Sequence, residues 1–243
     1  MPRFFVPKQE IGSSFLVLTG ENAAHANVLR LKNGDDVTIC DGEGTDYICT
    51  VSDVANGQIS LVVHSADPSQ SEPKVACSVY MAFAKADKFE HVIQKATELG
   101  AAELVCFPSV RCVSRPDEKS LVKKLDRWQK IAASAAEQSR RGRIPQVIAL
   151  PSYSSALKRA AEADLAVCFY ENEEQLTFRA AIEAAPFRTA SILTGPEGGF
   201  ESEEVRQAAE AGLKICTLGC RILRCETAPL CALSALMYAT GEF

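Results

Sequence analysis

The sequence predicts an α/β protein in two parts: a small β-barrel, then a larger domain built on a parallel sheet. Three observations carry that prediction. The first 66 residues are short apolar runs separated by tight-turn dipeptides. A polar stretch with two prolines, ADPSQSEPK at 66–74, then interrupts the pattern. Beyond it, short β-branched runs alternate with amphipathic helical stretches, the texture of strands covered on both faces.

In the first part, strands are expected at 4–6, 15–18, 37–40, 47–51 and 59–63. Asn33-Gly34, Asp41-Gly42 and Asn56-Gly57 lie between them and supply the positive φ that hairpin turns need. The polar stretch reads as a linker, so the domains are set at 1–70 and 71–243. In the second part, strands are expected near 77–83, 104–107, 165–170, 190–194 and 214–218. Asp87-x-x-Glu90 resembles a capping box and opens a helix whose apolar stripe is Phe89, Val92, Ile93, Ala96 and Leu99. Gly100 ends it. A longer helix is expected from about residue 118 to 141, stopped by Gly142 with Pro145 beyond. Others begin near Ser154 and after Phe200. The last begins near Thr227 with Pro229 in its first turn. It is apolar on nearly every side, so all its faces must be covered, by a subunit interface or by the core of a monomer.

Composition excludes several classes. The 243 residues are 47% hydrophobic and 23% charged, an ordinary globular balance. The 10 cysteines sit mostly in apolar runs, as with Cys77, Cys106 and Cys168, which reads as reduced core thiols. There is no C-x-x-C pair, and the Cys216/Cys220/Cys225 spacing is weak evidence for zinc, so no metal is expected. The opening MPRFFVPKQEIG lacks the order of a signal peptide, and no apolar run is long enough to cross a bilayer. A cytoplasmic location with no membrane association is expected. The net charge of −5 hides a partition. Residues 1–70 carry 4 basic against 9 acidic groups, 71–150 carry 14 against 9, and 151–243 carry 8 against 13. Arg140, Arg141 and Arg143 cluster in the basic third, with Arg111 and Arg115 nearby. Such a patch can hold phosphates, although from charge alone a solvated helix face is the better reading.

Two segments carry the chemistry. Leu193-Thr194-Gly195-Pro196-Glu197-Gly198-Gly199-Phe200 follows an expected strand and leads into a helix. Its glycines let a ligand approach the backbone closely, at the strand end where ligands usually sit. Alone it would equally be a structural turn. Leu218-Gly219-Cys220-Arg221-Ile222-Leu223-Arg224-Cys225-Glu226-Thr227-Ala228 follows the next expected strand. Two such loops facing one crevice suit a flat adenine and a ribose. No G-x-G-x-x-G and no G-x-x-x-x-G-K-[ST] occurs, which disfavours a classical dinucleotide or phosphate-cradling enzyme. None of His25, His64 and His91 stands out as a base; His91 lies just off the apolar stripe.

GPEGGF followed by LGCRILRCETA resembles the paired signature of the RsmE-type 16S rRNA uridine-N3 methyltransferases of the SPOUT superfamily. MPRFFVP, HANVLRLKNGDDVTICDGEGTDY, KADKFEHVIQKATELGA and WQKIAASAAEQSRRGRIPQV look like the family's other segments in the same order, so the resemblance covers the whole chain. It implies a PUA-like RNA-binding barrel, then a SPOUT domain whose parallel sheet ends in a deep trefoil knot, a rare exception to unthreaded chains. It further implies S-adenosylmethionine as cofactor, a homodimer through the C-terminal domain, and 16S rRNA as partner, within the assembled small ribosomal subunit. The cofactor residues carried over are Leu193, Thr194, Gly195, Gly198 and Gly199, then Leu218, Gly219, Ile222, Leu223, Arg224, Thr227 and Ala228. Glu201 departs from the pattern where a capping Ser or Thr is expected, and Cys225 where Thr is common.

Methylating N3 requires that its proton leave and that charge on the base oxygens be stabilised. Arg224 is the expected stabiliser, with Arg221 beside it. Glu226 is a candidate base, although an acidic residue at a helix start is first of all a partner for the helix dipole. Glu197 is read as a turn former. Arg3, Arg30, Lys32, Arg111, Arg115, Gln138, Ser139, Arg140 and Arg141 are expected to contact RNA. A related enzyme acting on ribose or tRNA, and a silent RNA-binding protein, are the competing readings. Intact glycines in both loops argue against silence.

Overall fold

A computed structural model describes residues 1–85 and 87–243. The chain forms two compact units. The first holds Met1–Glu72 together with Ala136–Ile144; the second holds Pro73–Ala135 and Pro145–Phe243. The sequence suggested one boundary at about residue 70 and gave no sign that 136–144 belongs with the first unit.

The first unit contains β1 (Arg3–Phe5), a 3-10 turn at Lys8–Glu10, β2 (Phe15–Leu18), α1 (Gly20–Val28), β3 (Asp36–Cys40), β4 (Thr45–Ala55) and β5 (Gln58–Pro68). They form a five-stranded sheet in the order β1-β3-β4-β5-β2. β1 runs parallel to β3; the other pairs are antiparallel. Asn56 and Gly57, at φ 52 and 72, close the β4–β5 hairpin between Ala55 and Gln58. Phe4, Leu16, Leu18, Val37, Ile39 and Leu61 fill the core. β5 continues to Pro68, so part of the expected linker is strand, paired backbone to backbone with Thr45–Tyr47. α1 was not expected. Its buried face is only Ala23 and Ala26, too small a stripe to show as apolar periodicity.

Ion pairs tie the 136–144 segment to this sheet. The Arg3 guanidinium donates to both carboxylate oxygens of Asp46 at 3.0 and 2.7 Å and to the Arg141 carbonyl at 3.0 Å. Arg141 is 3% exposed and meets Glu72 at 2.7 Å. Glu72 also accepts from the Gly142 and Arg143 N–H groups at 2.9 and 3.1 Å. Arg3 and Arg141, expected to contact RNA, are therefore committed inside the unit: a buried guanidinium needs a carboxylate, and each has one.

The second unit contains β6 (Ala76–Ala82), α2 (Lys88–Glu98), β7 (Glu103–Phe107), all but the last turn of α3 (Glu118–Gln138), β8 (Gln146–Ala149), α4 (Tyr153–Ala160), β9 (Leu165–Phe169), α5 (Phe178–Glu183), β10 (Thr189–Thr194), α6 (Ser202–Glu210), β11 (Lys214–Cys216) and α7 (Thr227–Ala239). Its six-stranded sheet is parallel throughout, in the order β11-β9-β10-β6-β7-β8. β8 and α5 were not expected; at four and six residues they are too short to show a period.

Several ends differ from expectation. Asp87 makes no side-chain cap, and Glu90 instead meets Arg127 at 2.7 Å. α3 stops at Gln138, because Arg140, not Gly142, takes the left-handed conformation, at φ 61. Glu201 does precede α6, and the buried Glu204 carboxylate returns to its N–H at 3.0 Å. α7 buries Ala232, Leu233, Leu236 and Met237 but leaves Cys231, Ala235 and Tyr238 exposed, Tyr238 at 76%, so one face lies open in the single chain. No described helix is long and apolar enough to cross a membrane.

Glu72→Ala leaves the Arg141 guanidinium buried without that carboxylate and frees two backbone donors. A loss of about 3–5 kcal/mol is expected, read as a lower denaturation midpoint of the first unit's transition, with Glu72→Gln intermediate.

Candidate active site

The carboxyl ends of β9, β10 and β11 open onto one cavity of about 890 Å³. Its walls are the loop after β10, the segment between β11 and α7, and the stretch after β9. β9 lies between β10 and β11 in the sheet, so the two loops singled out in the sequence flank a third segment.

The first loop is fixed at both ends. Thr194 is buried and its hydroxyl donates to the Tyr80 carbonyl at 3.1 Å. Phe200 is buried in the core, its ring 5.7 Å from that of Tyr153. Between them the Gly199 N–H closes a turn onto the Pro196 carbonyl at 3.0 Å. Gly199 sits at φ 67, and a Cβ there would lie 2.3 Å from Glu171 Oε1. A Cβ at Gly195 would crowd the Gly199 backbone at 3.2 Å. Only glycine lets the loop fold back on itself beside that carboxylate.

The second loop turns at Gly219, φ 101, whose N–H donates to the Thr217 hydroxyl at 3.1 Å. It ends where the Arg224 carbonyl accepts from the Thr227 and Ala228 N–H groups at 2.8 and 2.9 Å, starting α7. Arg221, Ile222 and Arg224 are exposed along the cavity wall, Ile222 at 86%.

Lys88, in the first turn of α2, joins the two loops. Its ammonium lies 3.5 Å from Glu197 Oε1 in the first and 3.3 Å from Glu226 Oε2 in the second, and donates to Cys225 Sγ at 3.5 Å. The Cys225 thiol donates to Glu226 at 3.2 Å, and Glu197 also accepts from the Lys85 N–H at 2.9 Å. Burial pushes the Glu226 carboxyl up, but its own N–H, the Cys225 thiol and the Lys88 ammonium outweigh it and hold it below the usual carboxylate value. Glu197 is likewise lowered on balance: burial raises it, and the backbone donors at Lys85 and its own position, with Lys88, pull it further down. Burial pushes the Cys225 thiol up to about 11, aided by the Glu226 carboxylate, so it stays protonated at neutral pH.

Of the expected cofactor residues, Thr194, Gly195, Gly198, Gly199, Leu218, Gly219, Ile222, Leu223, Arg224 and Ala228 line this cavity. Leu193 and Thr227 do not: Leu193 is core, and Thr227 is exposed on the first turn of α7. Among the residues expected to meet RNA, Arg111 donates to the Gly198 carbonyl at 2.9 Å, and Arg115 to the Ser109 carbonyl at 2.6 Å. Arg30, Lys32, Gln138 and Arg140 are exposed, and Ser139 is half-buried. Sequence reasoning missed Lys88 and the third wall, Tyr170, Glu171, Glu173 and Glu174. The acidic run after an expected strand was visible; its place between the two loops depends on sheet order.

Residues 71–237 match the RNA methyltransferase domain family, and 18–63 match the RNA methyltransferase PUA domain family. The chain is 36% identical to ribosomal RNA small subunit methyltransferase E of Bacillus subtilis, over 99% of this chain and 97% of that one. It is 31% identical to the protein of that name from Mycobacterium tuberculosis, over 99% and 92%. The crystal structure of ribosomal RNA small subunit methyltransferase E from Neisseria gonorrhoeae, bound to S-adenosyl methionine, superposes with a TM-score of 0.87 at 29% identity, covering 98% of each chain.

The carboxylates of Glu197 and Glu226 sit below their ordinary value of 4.5. The stability they contribute is full above that value and is lost as pH falls through the lower folded values. In Lys88→Met this acid limb is expected to flatten, because one cause of the lowering is gone. Thermal unfolding measured from about pH 6 to pH 3 reads the difference; equal slopes would mean that Lys88 does not hold the loops.

Proposed function

The chain belongs to the family of ribosomal RNA small subunit methyltransferases E, and on that basis we propose that it methylates N3 of a uridine in 16S rRNA, with S-adenosylmethionine as donor. The observation that carries this reading is the single cavity walled by both glycine-containing loops. The residues fit such a donor. Gly195 and Gly199 let the first loop fold back on itself, Gly219 has no heavy atom within 4 Å of where a Cβ would stand, and Glu171 faces the loop with a carboxylate suited to a cationic ligand. When bound, S-adenosylmethionine supplies a methyl group already activated by its sulfonium.

The chain supplies the rest. Arg224 is exposed on the cavity wall, is free of ion pairs among the described residues, and is assigned to the charge that spreads onto the uracil oxygens. Arg221 is assigned to a nearby phosphate. Glu226 is assigned to holding the loop through Lys88 ahead of acting as a base, since a carboxylate lowered by an ammonium accepts protons poorly. Leu193 and Thr227 are assigned to supporting the loops rather than touching the donor.

The same reading extends to the architecture. The N-terminal sheet is taken as a PUA-like barrel, and the segment around β10, β11 and α7 as the site of a trefoil knot. The open face of α7 fits a homodimer contact. The substrate is taken to be the assembled small subunit, in the cytoplasm.

Small subunits from cells lacking this protein, incubated with it and S-adenosylmethionine, are expected to gain N3-methyluridine in 16S rRNA by mass-spectrometric nucleoside analysis. Gly199→Val, strained in φ and aimed at Glu171, is expected to abolish donor binding. Arg224→Ala is expected to lower kcat by about 100-fold while donor binding changes far less. A methyl on ribose or on tRNA alone would overturn the uridine-N3 assignment.

A further inference from the structure

Five helices in the described residues end with the same pair of backbone bonds. The residue after the cap returns its N–H to the carbonyl three residues earlier, and the next residue returns its own to the carbonyl five earlier. That arrangement forces the first of the two into the left-handed conformation, where glycine is favoured because it has no Cβ. Three ends, all in the second unit, carry glycine there: Gly100 at φ 96, Gly212 at φ 96 and Gly241 at φ 76. The other two, both in the first unit, carry arginine: Arg30 at φ 58 after α1 and Arg140 at φ 61 after α3. The bonds themselves are intact. Leu31 N–H reaches the Ala26 carbonyl at 3.2 Å, and Arg141 N–H reaches the Ala136 carbonyl at 2.9 Å.

Nothing inside the fold explains the arginines. Both are exposed, and neither makes an ion pair or a side-chain hydrogen bond among the described residues. Three of the unit's other cations are committed, Arg3 to Asp46, Lys8 to Glu43 and Arg141 to Glu72. The two helix ends are also joined: His25 Nδ1 on α1 lies 3.1 Å from Glu137 Oε1 in the last turn of α3. The unit has 7 basic and 11 acidic residues, so any polyanion it meets must be held at discrete points rather than by a general field.

Resting on the reading that the substrate is RNA, we infer that Arg30 and Arg140 form a paired phosphate grip, kept at two strained positions at the expense of stability. Residues held in sparsely populated backbone regions persist where function requires the side chain. The free guanidinium of each presents a fork that matches phosphate geometry. Of the nine residues expected to contact RNA, these two stand on helix ends closed by the same pair of backbone bonds.

The double variant Arg30→Gly/Arg140→Gly separates this from a structural role, because glycine relieves the strain. In the full chain its melting temperature is expected to stay level or rise by up to roughly 4 °C. Its affinity for 16S rRNA is expected to fall about tenfold, and the slope of log affinity against log salt to shrink by roughly 1–2. Arg30→Lys/Arg140→Lys, which keeps charge and strain but loses the fork, is expected to keep the salt slope while its affinity falls part of the way toward that of the glycine variant. Unchanged affinity and slope in the glycine variant would overturn the inference, as would a melting temperature that falls along with affinity. If the wild type binds this RNA with the expected glycine effect but transfers no methyl, the grip stands and the uridine-N3 reading fails. If it methylates and the glycine variant binds as well as the wild type, the reverse holds.

Discussion

Lys88 reaches from the first turn of α2 to carboxylates in two separate loops, and the shape of the cavity follows from that reach. Glu197 and Glu226 are 29 residues apart in sequence and carry the same sign. Without a cation between them their loops would repel across the cavity mouth. Each contact alone, partly open to water, is worth little. Their value is geometric: one ammonium sets a distance that neither glycine-containing loop can set for itself. Cys225 enters the same cluster as a protonated donor to Glu226.

The two-part organisation, the parallel sheet and both loops were legible in the sequence, because strand runs, turn dipeptides and glycine positions are local signals. β2, at Phe15–Leu18, falls on the apolar run where a strand was expected. Other features were hidden for physical reasons. α1 buries alanines, which leave no strong period. Lys88 lies among other charged residues in KADKFE, and nothing local says that two distant carboxylates will meet it. Glu171 takes its place only once β9 is known to run between β10 and β11. Charge counting placed Arg141 with its basic neighbours, but whether an arginine faces solvent or a buried Glu72 is decided by tertiary pairing.

The helix ends show how two demands on one backbone can be divided. In the second unit, glycine takes the left-handed position and the caps are relaxed. In the first, the same caps are closed by bulky cations, so the bond pattern is kept and the comfort of the residue is given up. A consensus reading by propensity places glycine at all five ends. The stop assigned to Gly142 failed for that reason: the chain turned two residues earlier, on an arginine.

The first unit is discontinuous, and that orders its assembly during synthesis. Residues 1–72 leave the ribosome well before 136–144 do. At roughly 5–20 residues per second the interval is about 3–13 s. Throughout it Glu72 has no Arg141 to pair with, and Arg3 lacks the carbonyl it later donates to. The N-terminal sheet thus emerges first but is completed late. Its final cross-links wait until more than half of the chain has been made, and a chain released early would carry an unpaired acid and a half-satisfied arginine.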